Sequence, residues 1–124
     1  MSKRRVVVTG LGIVSPVGSS IDTAWSNILD GKSGIRPITA YDVSDFSVKF
    51  AGTVQGFDPS GYIKPKDQKK MDPFIHYGIA AALDAVSDSG LEVTEDNAER
   101  VGVAIGAGIG GIGGIEKDHI AMLE

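Results

Sequence analysis

The glycine-rich stretch VGVAIGAGIGGIGG, residues 101–114, constrains the fold of this chain more than any other segment. It opens as a short apolar run typical of a buried strand and then contains six glycines within nine residues. Two overlapping sets match the G-x-G-x-x-G spacing of a dinucleotide-binding turn: Gly106, Gly108 and Gly111, and Gly108, Gly110 and Gly113. Glycines at this density indicate that the backbone approaches something closely, and the first hypothesis to weigh is a phosphate.

The composition limits the classes of protein to which the chain can belong. With 124 residues, 42% of them hydrophobic and 23% charged, it has the size and character of a single globular domain. Its formal net charge of −4 gives no support to nucleic-acid binding. Because the sequence contains no cysteine, these 124 residues cannot supply a disulfide, a thiolate metal ligand or a cysteine nucleophile.

The sequence also predicts where the protein works. No apolar run reaches the ~18 residues that a membrane span needs. The apolar run that follows the basic residues of MSKRRVVVTG is shorter than the ~7–15 residues of a signal-peptide core. We therefore expect a cytoplasmic protein without a membrane span.

Three segments have the character of strands. Residues 4–9 (RRVVVT) and 101–105 (VGVAI) are short, apolar and rich in β-branched residues, which predicts buried strands. The segment VKFAGTV, residues 48–54, predicts a further short strand.

Helix signals lie between these segments. Ser19 or Ser20 is the predicted N-cap of a helix over residues 21–29, with Gly31 as its C-cap. The clearest helix has Asp72 as its N-cap and Pro73 in the first position, and it ends at Gly90. Two less distinct helices are predicted near residues 94–99 and from residue 115 onwards.

Nucleotide binding is a weak hypothesis at both glycine clusters. After Gly10 and Gly12, a serine stands where the third glycine belongs, and Pro16 follows, so the helix that should face a pyrophosphate starts too late. The later cluster is better spaced but has no acidic partner downstream and no Walker lysine. Glycine alternating with isoleucine also gives a wall better suited to an acyl chain than to phosphate.

Four blocks of sequence carry a resemblance to a known family: RRVVVTGLGIVSPVG (4–18), KFAG (49–52), KKMDPFIHYGIAAALDAVSDSGL (69–91) and RVGVAIGAGIGG (100–111). In order and spacing they resemble the N-terminal part of bacterial β-ketoacyl-acyl carrier protein synthases of type II fatty acid synthesis. The opening SKRRVVVTGLG is more similar to synthase II than to synthase I or the polyketide ketosynthases.

The resemblance implies an α/β protein with the thiolase-like fold, in which two similar halves form αβαβα layers and two chains form a homodimer. Residues 1–124 are then expected to be the opening, truncated part of the N-terminal half, since complete family members are more than three times as long. The implied activity is elongation of acyl chains by decarboxylative Claisen condensation of an acyl-enzyme with malonyl-acyl carrier protein, with no cofactor and no metal.

The catalytic residues of the family are a cysteine, two histidines and a lysine, and none of these positions lies in this chain. His76 and His119 lack the sequence contexts of the family's catalytic histidines, so solvated or capping roles are expected for them. The chain alone is therefore expected to be inactive. A non-catalytic chain-length partner of a ketosynthase, which lacks the cysteine by design, remains an alternative.

Two sets of residues match functional positions of the family. Lys66, Lys69 and Lys70 match basic positions that meet the acidic helix of acyl carrier protein, and KPKDQKK (64–70) holds four positive charges within seven residues. The competing interpretation is an ordinary solvated loop. Ile109, between Gly108 and Gly110, matches the isoleucine that gates the acyl pocket. The resemblance thus assigns the glycines to an acyl tunnel and its gate.

Overall fold

The structure is a computed structural model that describes residues 3–124. It contains four α-helices and one two-stranded sheet in this part of the chain. The helices are α1 (Ile21–Leu29), α2 (Pro65–Gln68), α3 (Pro73–Ser89) and α4 (Ile112–Leu123), and the strands are β1 (Ile35–Pro37) and β2 (Phe50–Gly52). Short 3₁₀ turns lie at Pro59–Gly61 and Ala98–Arg100.

Helix α3 is the central element of the described fold, and its bounds confirm the prediction. Pro73 occupies the first turn, where backbone N–H groups have no intrahelical acceptor and the missing N–H of proline costs nothing. Gly90 ends the helix in the left-handed conformation at φ 64°. Ala80 lies at the middle of the helix and is completely buried. Asp72 stands at the N-cap position, but its side chain makes no capping hydrogen bond to α3.

The first two glycines of the chain let the N-terminal segment pack directly on α3. A Cβ on Gly10 or Gly12 would overlap the backbone carbonyl oxygens of Ala85 and Ala81, one turn apart on that helix. The backbone N–H of Leu11 between them donates to the Asp88 carboxylate at 2.8 Å. These glycines therefore serve the contact between chain and helix and not a phosphate.

The prediction of strands at residues 4–9 and 101–105 is wrong for this structure. Both segments run without ladder hydrogen bonds, and their apolar side chains stay open: Val6 is 90% exposed and Val103 is 84% exposed. A strand exists only where a second one pairs with it, and the only sheet among residues 3–124 joins β1 to β2. The apolar, β-branched pattern of these segments shows that they can form strands, but a strand forms only where a second segment pairs with it.

The smaller elements partly follow the predictions. Ser20 accepts a hydrogen bond from the backbone N–H of Thr23 as the N-cap of α1, and the helix ends at a C-cap Asp30, one residue before the predicted Gly31. β2 lies inside the predicted strand 48–54 and pairs antiparallel with β1, which the sequence did not signal.

Two predicted helices have shifted bounds. The one expected at residues 94–99 is reduced to the single 3₁₀ turn that begins at Ala98. Helix α4 begins at Ile112, three residues before the predicted start at residue 115. It follows the left-handed turn at Gly111 and so starts inside the glycine-rich stretch.

The enclosed core is small for the amount of apolar surface. The buried hydrophobic residues among those described are Ala24, Ile63 and Ala80. An aromatic cluster supplements them: the ring of Phe57 stacks on Tyr62 at 6.1 Å and meets Tyr77 edge-on at 5.3 Å. Apolar surface left open on this scale is typical of a face that meets other protein segments. None of the helices described within residues 3–124 combines the length and the apolar character that crossing a bilayer requires.

Candidate functional site

An apolar groove lies between α3 and the glycine-rich stretch. Its cavity has a volume of about 540 Å³. One wall is the N-terminal half of α3 and the other is the backbone of residues 105–110, with Ile105 and Ile109 as its large side chains. The residues of the helical wall are Phe74, Ile75, Gly78 and Ile79. A groove of this size and character fits an apolar ligand better than a charged one.

The loop at residues 106–110, here called the gate loop, is open at one end and held at the other. Nothing lies within 4 Å of a Cβ placed on Gly106 or Gly108, and Ile109 is 80% exposed. At the far end, a Cβ on Gly110 would overlap the ring of Phe74. The predicted gate residue therefore stands on a loop that is exposed around Ile109 and packs against Phe74 at Gly110.

The end of the gate loop is a left-handed turn into α4. Gly111 has φ 74°, a conformation that side chains rarely adopt, and it is the N-cap of the helix. The carboxylate of Asp72 lies over this turn: a Cβ on Gly111 would come within 2.6 Å of its Oδ2.

This carboxylate decides against the nucleotide hypothesis at the second glycine cluster. A dinucleotide pyrophosphate would have to sit at the N-terminus of α4, where its charge is attracted by the helix dipole. Asp72 already places a negative side chain there, and two anions so close repel each other. Neither glycine cluster of this structure is a phosphate cradle.

The three lysines singled out from the sequence form one exposed surface at the end of α2. Lys66 lies in this one-turn helix, Lys69 is its C-cap residue, and Lys70 follows. We call these three residues the lysine surface. The one ion pair found among residues 3–124 joins Lys32 to Asp30, so the charges of the lysine surface are not neutralised by a contact in the described chain.

Two hydrogen bonds fasten α2 to its surroundings through Gln68. Its side-chain amide donates to the carbonyl of Ile63 at 2.7 Å, and its own carbonyl accepts from His76 Nε2 at 3.2 Å. The His76 ring therefore links α3 to the end of α2, in agreement with the expected capping role. His119 is an exposed residue of α4, as the expected solvated role requires.

The lysine surface and the groove are neighbours. A second cavity, of about 320 Å³, is lined by Lys69, Lys70 and the first turns of α3 and α4, with Lys117 and Asp118 on the α4 side. Ile75 lines both this cleft and the groove. The first turn of α3 thus lies between a cleft lined by charged side chains and the apolar groove.

Neither cavity contains a catalytic constellation. No group of three or more metal-ligating side chains comes together in the part of the chain that the structure describes. The groove is lined by carbon and backbone atoms, with no titratable side chain among its lining residues. The groove therefore offers apolar surface and a defined shape, and no ionisable group.

Phe74 and Asp72 are the residues at the site that the sequence did not identify as functional. Asp72 carries a helix-start signal, which describes its backbone and not the direction of its carboxylate. Phe74 reads as one apolar residue among several on α3. Phe74 contacts the gate loop at Gly110, and Asp72 lies over Gly111, which directly follows the loop. Both glycines lie more than 30 residues further along the chain.

Comparison with known proteins identifies the family. The family model described as "Beta-ketoacyl synthase, N-terminal domain" matches residues 3–124. This chain belongs to the β-ketoacyl synthase family. The resemblance read from the four sequence blocks is thereby confirmed, as is the thiolase-like fold expected from it.

Individual members of the β-ketoacyl synthase family are closely similar in sequence to this chain. The 3-oxoacyl-[acyl-carrier-protein] synthase 2 proteins of Vibrio harveyi and Vibrio cholerae are each 56% identical over 124 residues, which is all of this chain and 30% of theirs. The synthase 2 of Coxiella burnetii is 50% identical over 123 residues. This chain therefore spans about 30% of the length of these relatives.

A solved β-ketoacyl synthase relative has the same arrangement. The structure of "The ishigamide ketosynthase/chain length factor" superposes with a TM-score of 0.65 at 39% identity, over 77% of this chain and 23% of that one.

Proposed function

We propose that this chain is the N-terminal part of a β-ketoacyl-acyl carrier protein synthase that elongates fatty acyl chains. The reaction transfers an acyl group to an enzyme thiol, removes CO₂ from malonyl-acyl carrier protein, and joins the resulting carbanion to the acyl carbonyl. The products are β-ketoacyl-carrier protein, CO₂ and the free carrier protein that delivered the acyl group, and the enzyme thiol is regenerated. The observation that carries the proposal is 56% identity over the entire chain to synthases named for this reaction.

The role of these 124 residues is to bind and not to react. The proposed reaction forms its acyl-enzyme on a cysteine thiolate, and these 124 residues contain no cysteine. What the chain does supply is the apolar groove, where each buried methylene of an acyl chain contributes about 0.8 kcal/mol. Within the proposal, Ile109 gates this groove, and Gly108 and Gly110 flank it as pivots of the gate loop.

Acyl carrier protein is the proposed partner of the lysine surface. Exposed, unpaired lysines on a protein of net charge −4 create a local positive field that steers an acidic partner. Within the proposal, a substrate delivered by that partner enters through the cleft and the groove that adjoin the lysine surface. The proposal includes a homodimer in the cytoplasm, as the resemblance implies.

A non-catalytic partner of a ketosynthase is the second candidate. It is favoured by one observation: the solved relative is a ketosynthase/chain length factor, at 39% identity. The natural reading frame distinguishes the two. A nucleophilic cysteine followed by the family's histidine motifs in that frame supports the enzyme, and a frame that covers these positions without them supports the partner.

The test of the enzyme is condensation by a completed chain. Residues 1–124 are joined to the remaining part of the Vibrio harveyi synthase and assayed with acyl- and radiolabelled malonyl-carrier protein. We expect β-ketoacyl product from the completed chain and none from residues 1–124 alone. Turnover by the 124 residues alone would contradict the assignment of a binding role, and an inactive, folded chimera would contradict the proposed function.

A further inference from the structure

We propose that Asp72 is the positioning residue of the gate loop: its carboxylate holds the start of α4, and with it the C-terminal end of residues 106–110, against the first turn of α3. The inference rests on the proposed function, because it assigns a role within the acyl gate. It concerns a residue whose sequence signal, an N-cap for α3, points elsewhere.

The first step is the direction of the side chain. Asp72 occupies the N-cap position of α3, and its backbone carbonyl accepts from the N–H of Ile75 at 3.0 Å, but its side chain makes no capping hydrogen bond to that helix. Its carboxylate instead lies against two glycines of the α4 start. A Cβ on Gly111 would be 2.6 Å from Oδ2, and one on Gly114 would be 2.9 Å from Oδ2 and 3.4 Å from Oδ1. Both positions are occupied by the one residue that leaves room for the carboxylate.

The second step is what α4 lacks. Its first backbone N–H groups have no intrahelical acceptors, and its N-cap is Gly111, which has no side chain to accept from them. A negative charge near this end is stabilised by the helix dipole. The Asp72 carboxylate lies close to this end, and α4 has no acidic residue in its own first turn, so the contribution from α3 is a negative charge near the helix dipole and not a capping hydrogen bond.

The third step connects this contact to the gate. The gate loop ends at Gly110, which rests on the ring of Phe74 and is followed directly by the turn under Asp72. The remainder of the loop is open. Phe74 therefore contacts the C-terminal end of the loop, Asp72 lies over the turn that follows it, and the position of Ile109 at the groove depends on that end.

Gly113 and Gly114 offer a matched pair for the test. Both lie in the first turn of α4, and alanine is the better helix former at either position. A Cβ on Gly113 meets nothing within 4 Å, whereas one on Gly114 displaces the Asp72 carboxylate. In the completed chain, we expect Gly113→Ala to leave kcat/KM unchanged at every acyl length. We expect Gly114→Ala and Asp72→Ala each to lower it for long primers by about 2- to 5-fold, the size of an exposed charge–dipole contact.

A double variant tests whether Gly114→Ala acts through the Asp72 carboxylate or independently of it. Asp72→Ala with Gly114→Ala is expected to be no worse than Asp72→Ala alone, since no carboxylate remains to be displaced. Additive losses would overturn the proposal, as would equal effects of the two alanine substitutions in α4. Asp72→Ser adds a further control because serine caps α3 well but cannot reach α4. Full rescue by serine would show that Asp72 acts on α3 and would also overturn it.

Failure of the proposed function is recognised separately. If the completed wild-type chain does not condense acyl groups, unfolding in urea is compared for the three single alanine variants and for the two double variants that combine Asp72→Ala with Gly113→Ala or with Gly114→Ala. A coupling between positions 72 and 114 that is absent between 72 and 113 would then still support the contact, while no coupling would remove it.

Discussion

Replacing Ile109 by phenylalanine tests the acyl gate at its exposed residue. Ile109 is 80% exposed and its neighbour Gly108 has open space around it, so the larger ring can be accommodated without disturbing the fold. We therefore expect an unchanged free energy of unfolding. The ring stands at the edge of a groove of about 540 Å³ and occupies room that an acyl chain would use.

The expected loss grows with the length of the acyl chain. Each methylene kept out of the groove forfeits about 0.8 kcal/mol of burial. At ~1.4 kcal/mol per tenfold, this is a factor of about four in kcat/KM per methylene. Crowding of a packed site by added volume typically costs ~1–3 kcal/mol, which corresponds to about 5- to 150-fold for primers that reach Ile109. Primers too short to reach this residue should react normally.

The assay compares kcat/KM for a series of acyl-carrier-protein primers of increasing length in the completed chain. Ile112→Phe is the matched control: Ile112 is also exposed, carries the same side chain and lies outside the groove. We expect this control to match the wild type at every length. A uniform loss in Ile109→Phe, no loss at all, or the same length dependence in the control would refute the gate.

Three further outcomes are expected in the completed chain. Reversing Lys66 and Lys69 to glutamate should raise KM for carrier-protein substrates and leave a small carrier-free thioester unaffected, with the difference shrinking as salt shortens the Debye length below ~10 Å; equal losses on both substrates would indicate misfolding instead. Gly12→Ala should destabilise the fold by about 1–3 kcal/mol in urea because its Cβ overlaps the α3 backbone, whereas Gly61→Ala, which meets nothing, should not. Burial, together with a hydrogen bond to a carboxylate of α3, raises the pKa of Tyr62 above its ordinary 10.0. The folded state then holds this proton more tightly than the unfolded state. The interaction should therefore contribute to the free energy of unfolding below pH 10, and this contribution should be lost as pH rises through the raised pKa. Tyr62→Phe should lack this loss when unfolding is measured from pH 8 to 11.

The helices could be predicted where local rules decide the structure. Helix α3 has a proline at its start and a glycine at its end, and both signals act within a few residues of the backbone they control. The cap of α1 by Ser20 is equally local. Residues 4–9 and 101–105 failed as strands because a ladder depends on a second segment, which no local pattern contains.

The same distinction applies to the site. The roles of the lysine surface and Ile109 are predictions from resemblance, which transfers positions without requiring contacts to be known. Phe74 and Asp72 were missed because their roles arise from the packing of α3 against residues 110–114. An aspartate before a helix has the same sequence signal whether its carboxylate caps that helix or turns to another.

The glycines of this chain explain why a spacing motif alone misleads. A side chain at position 12 would overlap the backbone of α3. One at position 110 would overlap an aromatic ring, and one at position 114 would displace a carboxylate. Gly111 is different again, since its positive φ requires it. Gly108 meets nothing and leaves the loop free. A dinucleotide fingerprint assigns several such positions one cause, the approach of a phosphate. Here the causes are separate: Gly110 and Gly111 lie where the loop contacts α3 and turns into α4, whereas Ile109 before them is exposed, and this arrangement supports the proposed gate.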